Sequence, residues 1–172
     1  MLNDIEIIEI SKQGAIKPFA AEKLRDKNGI SYGLEPCGYT MRLGDSYVRT
    51  NGNQVPHTIY MKEGDAGIDL KPNILYLLSI YEYLSLPTNV AGYIYPKSTW
   101  CRTGLLFLLA PIEPGFKGNL TIAVRNTNSY AVFLPVRSPL VQVQFVQIRP
   151  PLSQYTGGYS NQEGQAPVSL LP

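Results

Sequence analysis

Three short polar clusters interrupt an apolar, turn-rich sequence, and their residue types can do chemistry. In "YPKSTWCRTG", Tyr95 to Gly104, the residues Lys97, Ser98, Thr99 and Arg102 place two cations and two hydroxyls within six positions. Such a loop suits a phosphate chain, because hydroxyls and backbone N–H groups donate to the oxygens while the cations offset their charge. A solvated turn would have the same composition. In "PIEPGFKGNLTIAVRN", Pro111 to Asn126, Glu113 stands between Ile112 and a Pro-Gly pair at the end of an apolar run. A partly buried carboxylate there can orient or deprotonate a water, and Phe116 can pack against a flat or puckered ring. The bland alternative is a surface turn, for which Glu-Pro-Gly is a good sequence. In "GGYSNQEGQ", near the C-terminus, Tyr159 and Gln162 can close over a ligand as a lid or belong to a loose terminus.

These clusters need elements to position them. Asn3 can cap a first helix, with Glu6 three residues later and Gly14 at its end. A second short helix is expected over Ala20 to Asp26. From there the chain reads as strands: "YTMRLGDSYVRT", "HTIYM", "ILYLLSIYEYLSL", "AGYIYP", "GLLFLLAP", "NLTIAVRN", "YAVFLP" and "LVQVQFVQI". The sixth alternates, with Leu120, Ile122 and Val124 on one face and Thr121, Ala123 and Arg125 on the other. The last sets Val141, Val143 and Phe145 opposite Gln142 and Gln144 in the same way. "GLLFLLAP" is continuously apolar and suits a strand buried on both faces. Short strands with frequent turns predict a mainly β protein, a distorted jelly-roll-like barrel or sandwich with a short N-terminal helix. No repeat or linker is visible. The polar, Gly- and Gln-rich end, residues 153–172, reads as a flexible tail, so residues 1–172 are expected to form a single domain with that tail.

The totals exclude several function classes. At 172 residues the chain can bury a real core. A net charge of +2 does not argue for nucleic acid, although a phosphate site needs only a few local cations. Cys37 and Cys101 form no framework and have no metal-ligand neighbours, so both are expected as buried or partly buried thiols. His57 is the only histidine, which rules out a zinc deaminase of the His/Cys/Cys kind on ligand count. With no signal segment and no bilayer-length apolar run, a cytoplasmic protein without membrane contact is expected.

The three clusters occur in an order that resembles the dCTP deaminase and dUTPase superfamily, trimeric β-proteins that handle deoxyribonucleoside triphosphates. "KSTWCRTG" is similar to that family's Arg-Ser-Ser-x-x-Arg-x-Gly phosphate loop, and "IEPGFKGNLTIAVRN" to its Ile-Asp-Pro-Gly-aromatic-x-Gly segment and strand. "PLVQVQF" places Gln142 on the family's glutamine, and "GYSNQEG" is similar to the deaminase-type tail. "AGIDL", Ala66 to Leu70, looks like a dUTPase signature, but "YTMRLG" is the better match for that strand and puts Thr40 where the usual Asp stands.

The resemblance implies a choice between two reactions. Family deaminases carry a glutamate ten positions past the turn carboxylate, and that position here is Ala123, whose methyl group cannot move a proton. Family dUTPases carry a small residue there. The resemblance therefore implies first a dUTP diphosphatase giving dUMP and pyrophosphate, with Mg²⁺ carried by the triphosphate. Glu113 would position the water, with Ser98 and Arg102 acting at the phosphates. Lys97, Thr99 and Gln142 would bind the phosphates, Phe116 would pack under the deoxyribose, and Tyr159 and Gln162 would close the lid. The alternatives are a dCTP deaminase, mono- or bifunctional, if Ala123 replaces a catalytic Glu, and a non-catalytic nucleotide-binding relative. Family membership also implies a homotrimer with sites between subunits.

Overall fold

The computed structural model describes residues 1–50, 57–149, 157–159, 161 and 163–164. The elements in chain order are α1 (Asp4–Lys12), β1 (Ile16–Lys17), β2 (Lys23–Arg25), β3 (Ser31–Glu35), β4 (Gly38–Thr50), β5 (Thr58–Tyr60), β6 (Gly67–Leu70), β7 (Leu75–Ser85), β8 (Val90–Pro96), α2 (Ser98–Arg102), β9 (Leu105–Leu108), β10 (Lys117–Asn126), β11 (Val132–Pro135) and β12 (Pro139–Gln147). The chain is mainly β, as the strand patterns predict.

Helix α1 begins where the capping box placed it. The Asn3 side chain accepts from the Glu6 amide at 3.0 Å, and Glu6 accepts from the Asn3 amide at 2.9 Å. Gly14 follows the helix with φ of 92°, a conformation glycine reaches without strain.

The second expected helix, Ala20 to Asp26, does not form. Its residues enter the hairpin of β2 and β3, because the Asp26 carboxylate accepts from the amides of Asn28 and Ile30 and so builds a turn instead.

Strand β4 is long enough to serve two sheets. Its first half pairs with β3 and β12, and its second half pairs with β5 and β7. The change occurs at a register shift between Leu43 and Tyr47. The sheet runs β2-β3-β4-β7-β10-β9, with β12 joining β4 to β8, and curls around one core. Tyr39, Met41, Leu43, Leu78, Ile80, Ile122, Val143 and Phe145 fill that core at 1% exposure or less. In β10 and β12 the inward residues are those the alternation predicts.

Two burial expectations fail. Leu106 and Leu108 are 49% and 54% exposed, so β9 is buried on one face only. It lies at the edge of the sheet, and none of the described residues covers its outer side. Cys37 and Cys101 are exposed, the first at the tip of the β3–β4 hairpin and the second on α2.

Candidate active site

The turn that carries Glu113 is fixed from three sides. Ile112 exchanges two backbone hydrogen bonds with Gly92 of β8, at 2.7 and 2.9 Å. The Phe116 amide donates to the Glu113 carbonyl, and Gly115 has φ of 78°, which with Pro114 before it makes a type II turn. The Gly115 amide donates to the Pro87 carbonyl. Gly92 leaves room at this contact, since a Cβ there would lie 2.8 Å from Ile112 Cδ1 and that side chain would have to shift.

Beside this turn a cavity of about 310 Å³ opens between the end of β9, the turn and the start of β10. Ile94, Leu108, Leu109 and Phe116 give it apolar walls, and Glu113, Asn119, Thr121 and Tyr159 give it polar groups. Phe116 is 8% exposed and packs into the core as well as the cavity. Glu113 is exposed at the rim, not partly buried as the apolar run before it suggests, because the tight turn throws its side chain outward. Ala123 follows Thr121 on the same face of β10 and pairs with Leu77 and Leu108, both of which line the cavity.

Asn119 is a site residue that the sequence reading missed. It is 7% exposed and sits where the β7–β10 register shifts. Its Nδ2 donates to the carbonyls of Ile80 and Tyr81, and its Oδ1 accepts from the Gly164 amide at 2.8 Å. The Gly164 carbonyl accepts from buried Ser46, and the Asn161 amide donates to the Lys117 carbonyl. The tail residues of this stretch thus lie along the start of β10, with Tyr159 at the cavity. Gln162 and most of the tail expected over 153–172 lie outside the described residues.

The second cluster is not an open loop. Ser98–Arg102 forms a short helix pinned by Trp100, which is 7% exposed and donates through Nε1 to the Pro139 carbonyl at 2.7 Å. Ser98, Thr99 and Arg102 face outward and are exposed. Lys97 does not: its ammonium enters a network with Ser31, Thr40 and Glu35 of β3 and β4. Gln142 lies opposite Thr40 and Tyr95 on the same sheet. Glu35 gave no signal in the sequence beyond being a carboxylate before a Pro, because its partners come from other strands.

None of the residues 97–104 lines the cavity, so in one chain the first cluster supplies none of its walls. The "AGIDL" segment forms β6, paired with β11, with Asp69 exposed and away from the cavity. Among the described residues no three His, Cys, Asp or Glu side chains converge as metal ligands. No helix among them is long and apolar enough to cross a membrane.

The family profile described as dCTP deaminase-like matches residues 2–148. The dCTP deaminase of Roseiflexus castenholzii is 35% identical over 170 aligned residues, which cover 91% of each chain. That of Campylobacter curvus is 34% identical over 176, covering 94% of each. Among solved structures, the 2'-deoxycytidine 5'-triphosphate deaminase of Agrobacterium tumefaciens superposes with a TM-score of 0.64 at 19% identity, over 84% of this chain and 46% of that one. The present chain thus spans about half the length of that protein. A dUTPase from phage phi11 of S. aureus superposes with a TM-score of 0.51 at 15% identity, over 84% and 97%. At such identities the superpositions show a shared fold.

These findings overturn the dUTP diphosphatase reading. It rested on a small residue at one position, Ala123, whereas the similarity spread along the whole chain runs to proteins named dCTP deaminase.

Proposed function

The chain belongs to the dCTP deaminase-like family, and from that premise we propose that it binds dCTP and hydrolyses the 4-amino group of its cytosine, releasing dUTP and ammonia. The observation that carries this reading is the cavity of about 310 Å³ at the type II turn, where a carboxylate stands at the rim of apolar walls. Water adds to C4, and the C4–N4 bond of the tetrahedral intermediate then breaks. Glu113 takes one proton from the water and delivers it to the departing nitrogen, and the remaining hydroxyl proton passes to N3 as the C4 carbonyl forms, the work a glutamate at position 123 would otherwise share. Phe116 packs under the deoxyribose, and Tyr159 and Gln162 cover the nucleotide.

Ser98, Thr99, Arg102 and Gln142 hold the phosphates. The triphosphate arrives with its own Mg²⁺, as part of the substrate. Because the phosphate cluster and the cavity are apart in one chain, each complete site draws on two copies, which favours a homotrimer with closed symmetry. The exposed Leu106 and Leu108 supply apolar surface for such contacts. A free deoxynucleotide substrate fits a cytoplasmic protein.

Ala123 favours a second reading, a relative that binds the nucleotide without converting it. Incubation with dCTP and Mg²⁺, followed by ion-exchange chromatography and an ammonia assay, separates the two. The expected result is dUTP with stoichiometric ammonia, lost by about 10²–10⁴-fold in Glu113→Gln at unchanged Tm. Tight dCTP binding with no product supports the second reading. Absence of both binding and product sinks both.

A further inference from the structure

The start of β10 holds a hydroxyl that the fold leaves unmet. Thr121 lines the cavity beside the Glu113 turn and is half-buried, yet its Oγ1 is shut away from solvent and has no hydrogen-bond partner among the described residues. Two polar side chains beside it in the sheet are already engaged. Ser79, opposite Thr121 on β7, donates to the Ser46 carbonyl and accepts from the Ser46 amide. Asn119 donates through Nδ2 to the carbonyls of Ile80 and Tyr81 and accepts on Oδ1 from the Gly164 amide. Leu77 and Leu108, which flank Ala123 on the neighbouring strands and line the same cavity, offer only alkyl groups.

A buried hydroxyl without a partner costs free energy that a valine of nearly the same shape would not. A ligand that supplies the partner accounts for such a residue in an otherwise alkyl wall. The two γ substituents of threonine are similar in size, so a turn about χ1 exchanges hydroxyl and methyl with little change in packing. A hydroxyl also serves in both directions, accepting from an amino group or donating to a carbonyl. Deamination needs that property at the 4-position of the base, where a donor in the substrate becomes an acceptor in the product. An ionised Glu113 accepts only, and the Asn119 amide is held by its three bonds.

We propose that Thr121 is a specificity-determining residue for the 4-substituent of the pyrimidine: its hydroxyl turns into the cavity, accepts from the 4-amino group of cytosine and, by rotating its proton, donates to the 4-oxo group of uracil. This inference rests on the nucleotide reading above and goes beyond it in naming the side chain that meets the reacting edge of the base. Substrate and product are held alike by that contact, and a pyrimidine with hydrogen at C4 gains nothing from it.

The test is a binding cycle in the Glu113→Gln background, where no turnover changes the ligand during titration. Calorimetry is run with dCTP, with dUTP and with the 2-pyrimidinone deoxyribonucleoside triphosphate, which has hydrogen at C4. Adding Thr121→Val is expected to weaken dCTP and dUTP by about 10-fold each and to leave the 2-pyrimidinone nucleotide unchanged. Thr121→Ser is expected to keep the affinity for dCTP and dUTP. An equal loss for all three nucleotides marks a packing role and overturns the proposal, as does no loss for any of them or a loss for only one of dCTP and dUTP. Melting of the ligand-free protein is a second readout that needs no nucleotide. Thr121→Val alone is expected to melt at or above the wild-type Tm, since it removes the unmet hydroxyl. A lower Tm shows that the hydroxyl has a partner within the fold and overturns the proposal. If the wild-type protein binds none of the three nucleotides, the nucleotide reading fails and this inference falls with it.

Discussion

Two buried carboxylates respond to pH in opposite senses, and the difference is set by their neighbours. Burial alone would raise the Glu35 carboxyl. The hydrogen bond from Lys23, the charges of Lys97 and Lys23 and the Ser31 hydroxyl outweigh it, and hold the group below its usual value of 4.5. A depressed carboxylate contributes stability that is complete above its unfolded pKa and is lost as pH falls through the folded one. Glu82 is fully buried, and burial raises its pKa even though it accepts from the Arg42 amide at 2.8 Å and from Arg42 Nε at 2.7 Å. Its contribution has the reverse sign: complete below the unfolded pKa and lost as pH rises through the folded one. Glu82 therefore does not cause acid lability and Glu35 does. Between roughly pH 5 and pH 3 the wild-type Tm is expected to fall more steeply than that of Glu35→Gln. Parallel curves would show that the network around Glu35 is not what acid breaks.

At the scale of elements, the bend in β4 decides where everything else lies. Gly44 stands between the half of the strand that pairs with β12 and the half that pairs with β7. A Cβ at Gly44 would fall on Ser79 Oγ, with the carbonyl carbon and oxygen of Ser79 only 3.0 Å away. Ser79 in turn donates to the Ser46 carbonyl and accepts from its amide, at 2.8 and 3.0 Å. Ser46 then reaches Gly164 in the tail. Gly44→Ala is therefore expected to cost about 1–3 kcal/mol, read as a lower urea midpoint, and to raise hydrogen exchange in the tail. A Gly44→Ala protein as stable as the wild type would mean that the β4–β7 irregularity can slide to make room. Strand β9 shows at the same scale why "GLLFLLAP" misleads: an unbroken apolar run identifies a strand, but not which of its faces the fold covers.

The whole molecule presents Glu113 at the cavity rim, the 97–102 cluster outside the cavity lining, and an edge strand with two exposed leucines. The homotrimer proposed above would meet both features, with copies of the chain covering β9 and completing each other's sites. Leu106→Lys, outside the cavity lining, is expected to shift sedimentation toward the monomer and to weaken dCTP binding by about 10-fold, since burying an unpaired charge in an apolar contact is costly. A variant that sediments as the wild type does would place the contact elsewhere. Family and fold were legible at this scale from the order of the motifs. The choice of reaction was not, because a single small residue at position 123 weighed more in that reading than the rest of the chain.

Local chemistry was determined by the sequence alone: the Asn3 capping box, the Glu-Pro-Gly turn, the alternation of β10 and β12, and the identity of the polar clusters. These depend on contacts between residues a few positions apart, where spacing fixes geometry. The tertiary structure alone decided which cation of the 97–102 cluster faces outward, which face of β9 is bare, and that Asn119 and Ser46 bond Gly164. Each of those outcomes depends on residues brought together from distant strands by the curl of the sheet, as Glu35 meets Lys97 and Ser46 meets Gly164. Burial and charge pairing are properties of that meeting and not of any one segment.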